Sequence, residues 1–327
     1  MSFTNSEDKS DEIENIWKII LDFANSWRLS FARIFKVWKW RWRRPARMEA
    51  ACCSKKTCRL PFSSSLSEAV TLTYFEFSLG SSTNRRKMVG QEEGNRNSVT
   101  DSQQQWNQWQ LLDSILPTGG FAHSLGLEAA IQARIVNGPQ DLYKFVILVL
   151  ENVGSLLLPF VHTMTIAHNE KTWHKLDRML DAMLSNETAR KASTAQGSAL
   201  LRVAATVFTE ITPLKLMRER SVSSNSRMSF HHAPIFGLVC GLLGFDLRTS
   251  QRAYVFIAMR DVLSAATRLS VIGPQAAAIL QHQITPIAEE ILNKWIDRNV
   301  EDACQTAPVL DVIQGCHPYL FSKLFCS

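Results

Sequence analysis

The sequence contains no G-x-x-x-x-G-K-[ST] loop, so it offers no P-loop cradle for the phosphates of ATP or GTP. It has neither a G-x-S-x-G elbow nor an H-E-x-x-H helix, which removes two common hydrolytic designs. No eighteen consecutive residues are uninterruptedly apolar, leaving no convincing membrane span. Alternating polar and apolar runs between turn dipeptides are also missing, and these are the signature of strands. No repeat recurs at a fixed period. The seven cysteines are odd in number and irregularly spaced, without a secretory signal before them. Reduced thiols and a cytoplasmic protein are therefore expected, not a disulfide framework. Cys52, Cys53 and Cys58 lack a second ligand pair at zinc spacing, so no metal site is assigned to them.

Charge excludes another class. The formal net charge is +6, but residues 1–100 hold 17 Lys/Arg against 11 Asp/Glu, and residues 101–327 hold 19 of each. The excess belongs to the first third alone. The remainder has no surplus for neutralising phosphates, so a nucleic-acid partner is not expected.

That first third, residues 1–104, differs from the rest. Acidic residues from Glu7 to Glu14 precede a cationic, aromatic stretch at 16–44. There Trp17, Ile20, Ala24, Trp27, Phe31, Ile34 and Trp38 recur at helical steps, a face able to lie on an anionic membrane. The early acids argue against a transit peptide. Residues 45–105 are rich in Ser, Asn, Gln and charge without a sustained period, and read as disordered. Two explanations of residues 1–87 stand together: translation starting at Met88, or a flexible extension. In either case residues 88–327 are expected to fold and function alone.

Residues 105–327 read as one all-α, bundle-like domain. With 46% apolar residues overall, a full core is available. Periodicity predicts one helix over 119–135, ended by Asn137-Gly138, with Pro139 and Asp141 opening the next. The apolar stretch 142–168 reads as two helices meeting near Gly154 or Pro159. Further helices are expected at 170–184, 187–209, 232–245, 250–272 and 274–298. His231 and His232, adjacent in sequence, cannot form an i, i+4 ligand pair; a helix start with one buried and one surface His is expected. His162 and His168 do not converge either. No self-contained catalytic centre, cofactor or metal site is read.

The most unusual stretch is DSILPTGGFAHSLGLE at residues 113–128. Pro117 disfavours helix at Leu116, and Gly119-Gly120 permits backbone angles and close approaches closed to other residues. His123, Ser124 and Glu128 are expected at a helix start, with Ser124 and Glu128 one turn apart on one face. These residues fit a docking role. A competing reading makes Asp113, His123 and Glu128 the centre of a metal- or small-molecule-dependent enzyme.

The stretch resembles the N-terminal signature of the UreF family of urease accessory proteins. Four later stretches resemble the same family in order: NETARKASTAQG (186–197) followed by Leu200-Leu201-Arg202, HHAPIFG (231–237), SAATRL (264–269) with Gly273, and HPYLFSKLF (317–325). Together they cover residues 106–327. Lys323 stands where the resemblance would place Arg, which loses a bidentate fork. The resemblance implies an all-α homodimer without catalytic activity, acting with UreD (also called UreH) and the GTPase UreG to load nickel into apo-urease. It marks Arg190, Arg202 and Arg268 as interface candidates. It also favours docking of UreD by the tail through His317, Tyr319, Phe321 and Lys323, with ordinary core packing of that tail as the alternative. The small residues Gly197, Ser198, Ala265 and Ala266 would allow close helix contact, within the domain or across a dimer.

From the missing phosphate loop, the purified protein is expected neither to bind nor to hydrolyse GTP. Intrinsic turnover in a preparation free of any GTPase partner would contradict this.

Overall fold

A computed structural model describes residues 92–223 and 228–327, with side chains described over 102–220 and 228–327. The amphipathic stretch 16–44 and the cysteines at 52, 53 and 58 lie outside the described residues. Helix α1 (Glu92–Leu112) runs across position 105, where the sequence pattern changes. A 3-10 turn (Gly120–Ala122) and the short α2 (Leu127–Gln132) follow. Next come α3 (Pro139–Asn152), a π turn (Val153–Leu157) and α4 (Leu158–Ile166), then α5 (Glu170–Met183) and α6 (Glu187–Val207). The chain continues through α7 (Thr212–Ser223), α8 (His232–Leu242), α9 (Leu247–Arg268), α10 (Pro274–Trp295) and α11 (Pro308–Cys316). No strand occurs among the described residues.

Local chemistry accounts for most of these boundaries. Asn169 accepts from the Thr172 amide, Asn186 from those of Thr188 and Ala189, and Asp246 from that of Thr249. Each cap satisfies an amide that the first helical turn leaves open. The Asp246 cap starts α9 at Leu247, three residues before the periodic pattern begins. Prolines open α3, α10 and α11, where their missing amide costs nothing.

Two expectations need correction. The predicted helix over 119–135 is broken, because Leu125 (φ 53°) and Gly126 (φ 89°) are left-handed, and α2 begins only after them. The expected junction within 142–168 is not a break between two helices. A π turn carries one continuous helix through it. Pro159 cannot donate to the Ser155 carbonyl, and that carbonyl instead accepts the Cys304 amide at 3.2 Å. The helix Pro139–Ile166 is long and apolar enough to cross a membrane by composition, but 72% of its most apolar window is buried inside the fold. It is a core helix. Helix α7 was not anticipated from periodicity.

The helices surround one core in which Phe145, Phe160, Trp173, Phe208 and Phe236 are fully buried. Each contributes about 1.5–3 kcal/mol by burial. The Glu151 carboxylate is buried beside them but paired, accepting from Trp295 Nε1 at 2.8 Å and Lys294 Nζ at 3.1 Å. Small residues set helix separations: Gly237 and Gly241 on α8 face the Val161 and Thr165 carbonyls of α4. Gly197 of α6 faces the Phe230 carbonyl and the His231 backbone just before α8. Gly197, Ala265 and Ala266 are buried within the chain, whereas Ser198 is exposed.

Gly197→Ala is therefore expected to force the α6–α8 contact apart and destabilise the fold by about 1–3 kcal/mol. Gly138→Ala, whose added carbon would meet nothing within 4 Å, serves as the control. Thermal melting should fall for the first and stay near wild type for the second.

Candidate functional site

The broken helix shapes the site. Ser124 precedes α2 instead of riding on it, so Ser124 and Glu128 do not share a helical face as expected. The Ser124 hydroxyl accepts the Glu128 amide at 3.3 Å and donates to the Ser327 backbone oxygen at 2.7 Å. The Ser124 amide donates to that same oxygen at 2.9 Å. His123 Nδ1 lies 2.7 Å from Ser327 Oγ, and the Cys326 amide reaches the Ala122 carbonyl at 2.8 Å. The GGFAHS stretch thus binds residues 326–327 much as a strand edge would.

Glu128, only 3% exposed, holds the preceding residues. Its Oε1 accepts the Leu324 amide at 2.6 Å; its Oε2 accepts the Phe325 amide at 3.1 Å and faces His317 Nε2 at 3.2 Å. Charge-assisted bonds of this kind are about twice as strong as neutral ones. One carboxylate therefore fixes a 3-10 turn (His317–Tyr319) and the two amides that return beside it.

A cationic layer covers this junction. Arg268 donates to the Phe121 carbonyl at 2.6 Å and stacks 4.4 Å from the Phe325 ring. Arg260 stacks 4.9 Å from Phe121, donates to the Leu112 carbonyl at 2.7 Å and pairs with Asp261 at 2.9 Å. Burial raises the Asp261 pKa, opposed by the charges of Arg260 and Arg268.

The remaining sequence-selected residues divide into two groups. Arg190 donates to the Leu184 carbonyl at 2.6 Å and closes the end of α5, so its guanidinium is engaged within the chain. Arg202 is exposed on α6. Tyr319 (71%) and Phe321 (104%) are open to solvent, and Lys323 donates to the Pro318 carbonyl at 2.8 Å. Asp113 is exposed and accepts the Ile115 amide at 3.0 Å in a turn, while His123 and Glu128 are occupied by residues 317–327. The three do not form a reacting set.

His231 is buried, as one of the pair was expected to be; its ring meets Ser193 Oγ at 3.1 Å and Asp181 at 3.2 Å. Asp177 accepts three successive amides, from Ser229, Phe230 and His231. His232 is partly buried and lines a pocket partly open to solvent, packed beside Tyr254 at 5.3 Å between ring centres. Sequence reasoning passed over Tyr254, Arg260 and Asp261. An aspartate in mid-helix beside Val262 and Leu263 was the available signal, since an unpaired carboxylate rarely sits there.

A family model, UreF, matches residues 136–285. The chain is 64% identical over 222 residues to "Urease accessory protein F" of Oryza sativa subsp. japonica, covering 68% of this chain and 85% of the relative. It is 60% identical over 230 residues to the protein of that name in Arabidopsis thaliana, covering 70% and 95%. The chain belongs to the UreF family of urease accessory proteins. A cyanobacterial relative, "Urease accessory protein UreF" of Trichodesmium erythraeum, is 32% identical over 234 residues, 70% of this chain and 99% of the relative. UreF proteins are accessory factors and not enzymes, which sets aside the catalytic reading of Asp113, His123 and Glu128. Each of these three relatives matches about two-thirds of the present chain.

Burial lowers the His232 pKa from 6.5 to about 4, assisted by the neighbouring His123 and Arg260. A histidine whose folded pKa lies below its unfolded value penalises folding only when protonated. The penalty is absent above pH 6.5, grows as pH falls, and is complete below about 4, amounting to about 3 kcal/mol. The raised pKa of Asp261 acts in the opposite direction, favouring the fold at low pH. The His232 ring signal is expected to titrate near pH 4 by NMR, and His232→Gln should flatten the loss of stability between pH 6.5 and 4. A titration midpoint near 6.5 would contradict the buried assignment.

Proposed function

We propose that this chain is a cytoplasmic, non-catalytic scaffold for the nickel-dependent maturation of urease. In this reading it works as a homodimer, docks UreD (UreH) through residues 317–327, and modulates the GTPase UreG as nickel is passed to apo-urease. Nickel is the cargo and not a resident cofactor. Residues 88–327 suffice, and neither a membrane nor a nucleic acid takes part. Family membership supports the general role, and the missing phosphate loop fits a protein whose GTPase activity resides in a partner.

One observation carries the docking assignment. His317, Phe325 and Ser327 are each at most 4% exposed, yet Tyr319, Phe321 and Leu324 between them stand 71%, 104% and 60% exposed. The backbone is pinned while its large apolar side chains face solvent. A partner that covers them loses little chain entropy, because the display is already ordered. Exposed apolar groups held in this way mark a protein-binding surface. Both sequence-level readings of this segment thus find support in different residues: its anchors pack as core, and its intervening side chains remain free to dock.

Changing Tyr319 and Phe321 together to Ala should abolish co-purification with UreD and activation of urease. Helicity and melting temperature should be unchanged, since neither side chain is buried. Retained partner capture by the double variant would overturn the assignment.

A further inference from the structure

The first turn of α11 carries a half-buried carboxylate that is held only by neutral groups. Asp311 accepts the Ser185 hydroxyl at 3.4 Å, with the Gln305 side chain as its other hydrogen-bond partner. Partial burial pushes its pKa above the usual carboxylate value, opposed by those two hydrogen bonds and by no positive charge among the described residues. The basic side chains at this end of the fold are engaged elsewhere. Lys191 pairs with Glu187 at 2.7 Å, Arg190 with Asp181 and the Leu184 carbonyl, and Lys323 donates to the Pro318 carbonyl. The start of α11 offsets part of the cost of burying Asp311 through the helix dipole, which amounts to only a partial charge. A carboxylate that gives up water without gaining a cation remains open to one.

Asp311 lines an open groove, bordered by Ser185 and Thr188 at the start of α6 and by Val312, Pro318 and Tyr319. Val312 and Tyr319 leave 39% and 71% of their surface exposed. Asn186 holds the frame: it accepts the Thr188 and Ala189 amides and donates its own amide to the Asp311 backbone carbonyl at 2.6 Å. A preformed groove loses little entropy when a partner fills it. Its one unmatched full charge is negative, since Glu187 is already paired with Lys191. An anionic segment would be repelled there, and a wholly apolar one would finish desolvating Asp311 without pairing it. A cation beside an apolar group meets both requirements. The groove is continuous with the exposed docking residues, because Tyr319 belongs to both.

We propose that this groove receives a lysine or arginine of UreD flanked by an apolar side chain. The cation pairs with Asp311, and the apolar neighbour covers Val312 and Tyr319. The inference rests on the docking role proposed for residues 317–327; it extends that contact onto α11 and names the chemistry of the segment that docks.

Calorimetric titration of the full chain with purified UreD, at about 50 mM and about 500 mM salt, tests this, because salt screens an accessible ion pair. Wild-type affinity should fall as salt is added. Asp311→Asn, with helicity and melting temperature unchanged, should bind about fivefold or more weakly at low salt and lose most of the salt dependence. Asp311→Glu should keep that dependence, and Glu210→Gln, an exposed acid beyond the far end of α6, should behave as wild type. Wild-type affinity indifferent to salt would overturn the inference. So would unchanged affinity and salt dependence in Asp311→Asn; if the Tyr319 and Phe321 double variant had meanwhile lost binding, the docking reading itself would stand. Retained binding by that double variant would remove the docking reading and this inference together.

Discussion

The organisation of this molecule depends on one buried carboxylate. Glu128 sits at the start of a six-residue helix too short to be stable by itself. It accepts two amides and faces an imidazole from a segment nearly two hundred residues away in sequence. Leaving such a carboxylate buried and unpaired would cost several kcal/mol, so the helix and the returning segment stabilise each other. The left-handed turn at Leu125 and Gly126 is what points Glu128 inward, and Ser124 joins the two parts by bonding both the Glu128 amide and Ser327.

This clamp explains why residues with docking chemistry are both fixed and exposed. Phe325 is held from one side by Glu128 and from the other by the Arg268 guanidinium, which also donates to the Phe121 and Ser264 carbonyls. Arginine suits that position because its planar group can stack and donate together. The alternation of exposed Leu324 and Cys326 with buried Phe325 and Ser327 then follows from where the amides must meet the carboxylate. Leu324 turns outward because its amide turns inward.

The all-α class and most helix positions were legible in the sequence, because long apolar periods and capping residues such as Asn186 and Asp246 agree with one another. The turn inside 119–135 was not. Leu125 adopts positive φ against its own preference, under the constraint of contacts with residues 313–327 that no local pattern reveals. Helix α7 also escaped notice, since Lys215, Glu219 and Arg220 dilute its apolar face to Leu214 and Met217. At the site, the motif drew attention to His123, Ser124 and Glu128, but not to the partner each would have. Those partners lie in the C-terminal stretch, and only tertiary structure brings them together. Helical geometry separates His231 from His232 and led to one of the pair being expected at the surface; His232 is instead partly buried, in a pocket with no local signature.

The clamp is tested most directly by amide hydrogen exchange at Leu324 and Phe325 in wild type and Glu128→Gln. Glutamine keeps the shape but replaces one acceptor oxygen with a donor, which is expected to cost about 1–3 kcal/mol. Those two amides should then exchange roughly tenfold faster or more, while amides of α8 and α9 keep their protection. Unchanged protection at Leu324 and Phe325 in the variant would contradict the central role assigned to Glu128.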